Sequence, residues 1–181
     1  MRWIFVFLFL NCSSFSTSTN PTVQSFSFRD LNGLEGRFPV PEQTTILSFL
    51  NQKSTHELER WIEALPLDEL RNRKIRFLNV VFPGGLFFMI PKKKARGAVK
   101  KRIDSEVQAY LERADEEHRK IYHSLDIHWI PDFEQRIFKA FDLSPEEPHF
   151  LYFDSKGVLQ GKYQGFSEIQ RVHFLWRFHR K

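Results

Sequence analysis

The stretch from residue 44 to residue 61 constrains the fold most, because an apolar strand runs through a short polar turn into an amphipathic helix. The strand is predicted at Ile46–Leu50, which is apolar except for Ser48. The apolar residues of the helix recur at helical spacing and are Leu58, Trp61, Ile62 and Leu65. Ser54 or Thr55 is a suitable N-cap, and Glu57 follows Ser54 at capping-box spacing. The sequence therefore predicts a strand–helix unit, and its junction contains no cysteine.

The rest of the chain continues the alternation of strands and helices, which is typical of an α/β domain. A small ribbon over residues 25–40 precedes the first strand, and Asn32-Gly33 marks its turn. Further strands are predicted at 75–82, 127–130, 149–153 and 158–163, and the last two form a hairpin. Helices are predicted from 98 to about 125, near 133–141 and at 167–178. The predicted apolar face of the last helix consists of Ile169, Val172, Phe174, Leu175 and Phe178.

The cysteine count excludes several kinds of chemistry. Of the 181 residues only Cys12 is a cysteine, so an intramolecular disulfide, a CxxC redox pair and a thiolate zinc site are all excluded. A composition of 41% apolar and 27% charged residues suits a soluble domain with an ample core.

The first residues have the pattern of an export signal. Arg2 precedes the apolar run 3–10, which is too short to span a bilayer but suits the h-region of a signal peptide. Cys12 lies where this run stops, and the segment 9–12 resembles a bacterial lipobox, although Asn11 departs from the usual small residue. We expect a signal peptide at 1–11, a lipidated Cys12 with a Ser/Thr-rich tether at 12–24, and one domain at 25–181. The expected location is the cell envelope, anchored to a bacterial membrane; the alternative is a soluble periplasmic or secreted protein.

Three passages resemble the thioredoxin-like redoxins of the TlpA and peroxiredoxin-like branch. The segment 26–38, with Asp30, resembles their opening hairpin, and 127–143 resembles the segment in which a strand ends near an Asp, here Asp132. The segment 148–157 resembles their Pro-initiated hairpin, with Pro148 first. The resemblance implies a thioredoxin-like three-layer α/β sandwich with an N-terminal β-ribbon and an extra strand–helix insertion. It also implies a cis Glu147–Pro148 bond facing the redox turn.

The chain departs from this family where the redox cysteines would lie. Alignment on Phe49 places Ser54 and Glu57 at about those two positions. Thiol exchange needs a thiolate, which neither side chain supplies, so the family's activity is not implied and we expect no catalytic residue. We expect a non-enzymatic interaction or scaffold module that binds an envelope protein or peptide in the groove around Ser54 and Pro148. The alternative is an oxidoreductase whose thiol chemistry is limited to Cys12.

A basic run is the second candidate for function. Seven of eleven residues are basic and none is acidic: Lys92, Lys93, Lys94, Arg96, Lys100, Lys101 and Arg102. Such a run can contact anionic lipid head groups or another polyanion. The alternative is a solvated loop and helix start. Nucleic acid is not expected as a partner, because an exported protein seldom meets it.

The histidines suggest no strong metal site. His56-Glu57 begins like a zincin motif, but the fifth residue is Arg60. A site that combines His128 with His149 can be imagined, yet copper-binding relatives of this fold also use cysteines, which are absent here. We therefore expect no metal and no cofactor.

Overall fold

The computed structural model describes residues 25–51, 54–63, 65, 75–84, 87 and 89–179. The predicted signal peptide, Cys12 and the tether lie outside these residues. The strands are β1 (Phe26–Arg29), β2 (Glu35–Phe38), β3 (Thr44–Asn51), β4 (Ile75–Phe82), β5 (Asp126–Pro131), β6 (His149–Phe153) and β7 (Leu159–Gln164). The helices are α1 (Thr55–Glu63), α2 (Lys92–Arg113), α3 (Glu116–Ser124), α4 (Arg136–Ala140) and α5 (Glu168–His179).

A five-stranded sheet in the order β5-β4-β3-β6-β7 forms the centre, and β1 pairs with β2 in a separate antiparallel ribbon. Strands β3, β4 and β5 are parallel to one another, whereas β6 and β7 run antiparallel. The apolar runs of β3 and β4 lie in the middle because both of their faces are covered. Across this pair the hydroxyl of Ser48 donates to Asn79 Oδ1 at 2.5 Å, while Asn79 Nδ2 is buried without a hydrogen-bond partner among the described residues.

The two faces of the sheet carry separate apolar clusters. On one face, Trp61 of α1, Ile121 of α3 and Phe174 of α5 cover the sheet. On the other face, Phe38 of the ribbon and Phe138 of α4 pack on it. This arrangement confirms the predicted three-layer α/β sandwich with an N-terminal ribbon, and the helices and strand between β4 and β6 form its insertion.

Three buried aspartates organise the turns of the passages that carry the family resemblance. The carboxylate of Asp30 accepts from the backbone N–H groups of two ribbon-turn residues, and that of Asp154 does the same in the β6–β7 hairpin. The carboxylate of Asp132 accepts three backbone N–H groups at the start of α4. Because each carboxylate replaces water at backbone donors, the chain turns sharply while keeping these donors bonded.

Four details of the prediction were wrong. The helix expected from 98 to about 125 begins at Lys92 and is divided into α2 and α3, because Ala114 is extended and Asp115 caps α3 by accepting from His118 N–H at 2.8 Å. Glu147–Pro148 is not cis; the one cis bond among the described residues is Phe38–Pro39. The apolar face assigned to the last helix was wrong in part: Phe174 is buried and Leu175 packs against the core, but Ile169 is 84% exposed and Val172 is 61% exposed. Finally, the hydroxyl of Ser54 bonds to Asn51 and does not form the expected capping box.

In the part of the chain that the structure describes, none of the helices combines the length and the apolar character needed to cross a bilayer.

Candidate functional site

The strand–helix junction is closed by hydrogen bonds between Asn51, the last residue of β3, and Ser54, which immediately precedes α1. The backbone N–H of Asn51 donates to Ser54 Oγ at 2.9 Å, and the N–H of Ser54 donates to the Asn51 carbonyl at 3.2 Å. Ser54 is only 5% exposed. The N–H of Glu57 donates to the backbone carbonyl of Ser54 at 3.1 Å, which starts the helix. Ser54 is therefore a buried element of the turn and not a surface hydroxyl.

The side chain of Asn51 joins this junction to the loop that precedes β6. Its amide nitrogen donates to the carbonyl of Pro145 at 3.1 Å and to that of Glu146 at 2.9 Å. The loop then enters β6 through Pro148, whose carbonyl accepts from Gly165 N–H at 2.9 Å. Through its backbone and its side chain, Asn51 thus joins the end of the central strand to the turn before α1 and to the Pro148 loop. The sequence analysis missed this role of Asn51; the available signal was an amide residue that ends a buried apolar strand.

His149 follows Pro148 and lies 7% exposed on β6, where it pairs with Phe49 and Gln164. Both imidazole nitrogens are buried. Burial lowers the pKa of His149 and the charge of Lys162 lowers it further, whereas the carboxylate of Glu147 and a hydrogen bond at the Ser144 backbone oppose these effects. Protonation of the imidazole beside the Pro148 loop is therefore disfavoured.

The outer wall of the site is aromatic. The indole nitrogen of Trp61 donates to the carbonyl of Gly165 at 3.1 Å, and the guanidinium of Arg60 lies 4.3 Å from the centre of the Phe166 ring. Glu57 has a largely buried side chain at 17% exposure and lies 3.9 Å from Arg60. Helix α1 is therefore fixed to the segment after β7.

The basic run is divided by its contacts. Arg96 donates to the backbone carbonyls of Arg29 and Asp30, and the other paired cations of the run form ion pairs. These ion pairs are Lys92 with Glu134, Lys100 with Asp104, and Arg102 with Glu106. Lys93, Lys94 and Lys101 are exposed and have no side-chain partner in the described part of the chain. These three lysines are consequently the cations of the run that remain available to a ligand.

His128 and His149 do not come together, because β4 and β3 separate their strands. The ring of His128 is already bonded at both nitrogens, to Asp30 Oδ2 at 2.9 Å and to Asp126 Oδ1 at 2.9 Å. Burial raises the pKa of Asp126, but the hydrogen bond and charge of Arg76 outweigh this, so the pKa is lowered overall. Among the described residues, no three His, Cys, Asp or Glu side chains are grouped to hold a metal ion.

Comparisons with known proteins show what kind of fold holds this site. No family model matches the chain, and no curated protein matches its sequence. A DsbE candidate from Chlorobium tepidum, described as a thiol:disulfide interchange protein, has a similar structure with a TM-score of 0.56 at 7% identity, covering 87% of this chain and 93% of its own. The dsbF protein of MTB gives a TM-score of 0.52 at 12% identity, covering 88% of this chain and 97% of its own. A thioredoxin candidate from Neisseria meningitidis gives a TM-score of 0.51 at 17% identity, covering 90% of this chain and 94% of its own.

These likenesses show that the fold is thioredoxin-like. The structural neighbours are redox proteins of the thioredoxin and disulfide oxidoreductase kind, whereas this chain has the single cysteine Cys12 and none among residues 25–181. The region in which a redox pair is expected is built here from Asn51, Ser54 and the Pro148 loop.

Replacing Asn51 by Ala is expected to lower the free energy of unfolding by about 1–3 kcal/mol, because the two carbonyls it binds lose their donor. Urea unfolding measures this loss, and hydrogen exchange is expected to become faster in the segment 144–148. Asn32→Ala is the matched control, since Asn32 is exposed and only accepts from Lys100. Equal effects of the two substitutions would contradict the role given to Asn51.

His149 is expected to make the protein less stable in acid. Because its pKa is lowered in the folded state, the unfolded chain binds the proton more readily, and the free energy of unfolding falls as the pH drops through about 6.5. His149→Leu is expected to remove this part of the pH dependence and to leave stability at neutral pH unchanged or higher. Urea unfolding of both proteins across this range tests the point, with the exposed His123→Gln as control. An unchanged pH profile in His149→Leu would refute it.

Proposed function

We propose that this protein is an exported, lipid-anchored, thioredoxin-like interaction module that lacks redox activity and binds an extended peptide segment in the groove beside Pro148. Cys12 is the proposed acylation site, and the residues that follow form the tether. The partner is an envelope protein or a peptide. The proposed location is the cell envelope, with the lipid in a bacterial membrane.

The proposal rests on the hydrogen bonds made by the side chain of Asn51. Its amide binds the carbonyls of Pro145 and Glu146 and so fixes the loop before β6 relative to the start of α1. The groove is therefore held in shape without a disulfide or a thiol. A preorganised loop whose backbone lies next to a sheet lowers the entropy cost of pairing with an extended segment.

The rim of the groove favours a partner with basic character. Glu146 and Glu147 are both exposed there, and Glu147 is bonded only by the uncharged amide of Gln164 among the described residues. Complementary charge of this kind adds specificity and speeds association.

The alternative is the oxidoreductase suggested by the names of the structural neighbours. With a single cysteine, any exchange would have to pass through a mixed disulfide on Cys12, which requires that this thiol is free and unacylated. Intact mass of the protein from native membranes separates the two proposals. A mass equal to residues 12–181 plus acyl chains supports the anchor, whereas an unmodified Cys12 favours the alternative.

Selection of peptides from a random displayed library on the full chain tests the groove. We expect enrichment of peptides that contain Lys or Arg, and we expect their affinity to fall about tenfold in the Glu146→Gln, Glu147→Gln, Pro148→Ala variant, because charge and loop shape are both lost. The matched control is Glu112→Gln with Glu116→Gln and Val158→Ala, which removes two exposed carboxylates and one exposed apolar group elsewhere. Equal binding by both variants, with folding checked by circular dichroism, would overturn the groove proposal.

A further inference from the structure

An exposed apolar pair lies directly before the basic start of α2. Met89 is 80% exposed and Ile90 is 40% exposed, whereas Phe87 packs against the cluster formed by Leu31, Val81, Val99 and Ile103. Phe87 therefore holds this segment against the core, while Met89 and Ile90 present their side chains to solvent. Only Pro91 separates this exposed apolar pair from three consecutive lysines.

The free lysines continue this surface along the helix. Lys94 and Lys101 are seven residues apart and so lie on the same face of α2, and Lys93 is adjacent in the first turn. The nearby carboxylates already form ion pairs with other cations. Glu134 pairs with Lys92 and Arg136. Asp104 pairs with Lys100, and Glu106 pairs with Arg102. The face that carries the free lysines is therefore positive without local compensation.

Helix stability does not account for these lysines. The first turn of α2 contains no acidic residue, and its N-cap residue Pro91 provides no side-chain hydrogen bond. Cations at a helix N-terminus oppose the helix dipole, so Lys92, Lys93 and Lys94 weaken the start of the helix. The buried side of the helix supplies its packing through Ala95, Val99, Ile103 and Tyr110.

We propose that Met89, Ile90, Lys93, Lys94 and Lys101 form a membrane-docking surface whose occupant is an anionic phospholipid bilayer. The charge of the three lysines complements acidic head groups, and the two apolar side chains enter the boundary between head groups and acyl chains. Combining a few basic residues with a small apolar insertion is how peripheral proteins bind such surfaces. This surface is distinct from the peptide groove and does not require that Cys12 is acylated.

Vesicle binding of the full chain tests the proposal, with phosphatidylcholine vesicles compared with vesicles that also contain phosphatidylglycerol. We expect Lys93→Gln, Lys94→Gln, Lys101→Gln to weaken binding to the anionic vesicles at least about tenfold and to leave binding to neutral vesicles unchanged. Added salt is expected to reduce the difference between the two vesicle types. The matched control is Lys120→Gln, Lys139→Gln, Lys156→Gln, which removes the same charge from exposed lysines outside the surface.

The apolar pair is tested separately. Met89→Ser with Ile90→Ser is expected to weaken binding to anionic vesicles, whereas Ile169→Ser with Val172→Ser, an exposed pair on α5, is the control and is expected to have no effect. The proposal is overturned if the two lysine triple variants bind equally. It is also overturned if the Met89 and Ile90 substitutions leave binding to anionic vesicles unchanged. That result is expected if the lysines bind a polyanion other than a bilayer. This test is independent of the two parts of the proposed function. Loss of the lipid anchor would lower binding to neutral vesicles as well as to anionic ones. If the groove binds no peptide, the differences in vesicle binding between the variants would remain.

Discussion

The bonds made by Asn51 are the interaction on which the site depends. Its backbone N–H binds the hydroxyl of Ser54, and its side chain binds the carbonyls of Pro145 and Glu146. These contacts connect positions almost a hundred residues apart in sequence, and all of them lie at the carboxyl end of the central strand β3. A thioredoxin-like fold presents its chemistry at this end. In this chain the same place holds an amide and a buried hydroxyl, which can shape a groove but cannot exchange disulfides.

The two proposed surfaces lie at the same edge of the sheet. Lys92 contacts Glu134, which follows the carboxyl end of β5, so α2 begins at the edge where β3 also ends. A domain docked through Met89, Ile90 and the free lysines would therefore keep its groove near the bilayer. An N-terminal lipid and such a docking surface would act together, because one tethers the chain and the other orients the domain.

The strands were predictable from the sequence because their apolar runs are continuous and end at prolines, glycines or charged residues. The layers and the ribbon followed from the order of elements and from the segments around Asp30, Asp132 and Asp154, whose carboxylates bind turn backbone. That the turn ending at Ser54 leads into α1 was likewise predictable. The bridging role of Asn51 was not, because a hydrogen bond to a residue near position 145 leaves no periodic pattern.

The errors have physical causes of the same kind. The lysines at 92–94 look like a loop because they disfavour a helix start, yet the apolar contacts of Ala95 and Val99 hold that turn in the helix. Apolar residues keep their helical spacing across Ala114 and Asp115, so this spacing does not indicate the break at which Asp115 caps α3. In α5, apolar residues occur around much of the helix, and packing alone decides that Phe174 is buried while Ile169 is exposed.

Reduction of insulin disulfides by the full chain tests the central claim most directly. We predict no catalysed reduction by the natural protein, because the junction contains no thiolate. The Ser54→Cys, Glu57→Cys variant is predicted to form an intramolecular disulfide and to catalyse the reduction, because the fold already places these residues at the start of α1. Catalysed reduction by the natural protein that disappears on Cys12→Ser would contradict the account and establish the oxidoreductase.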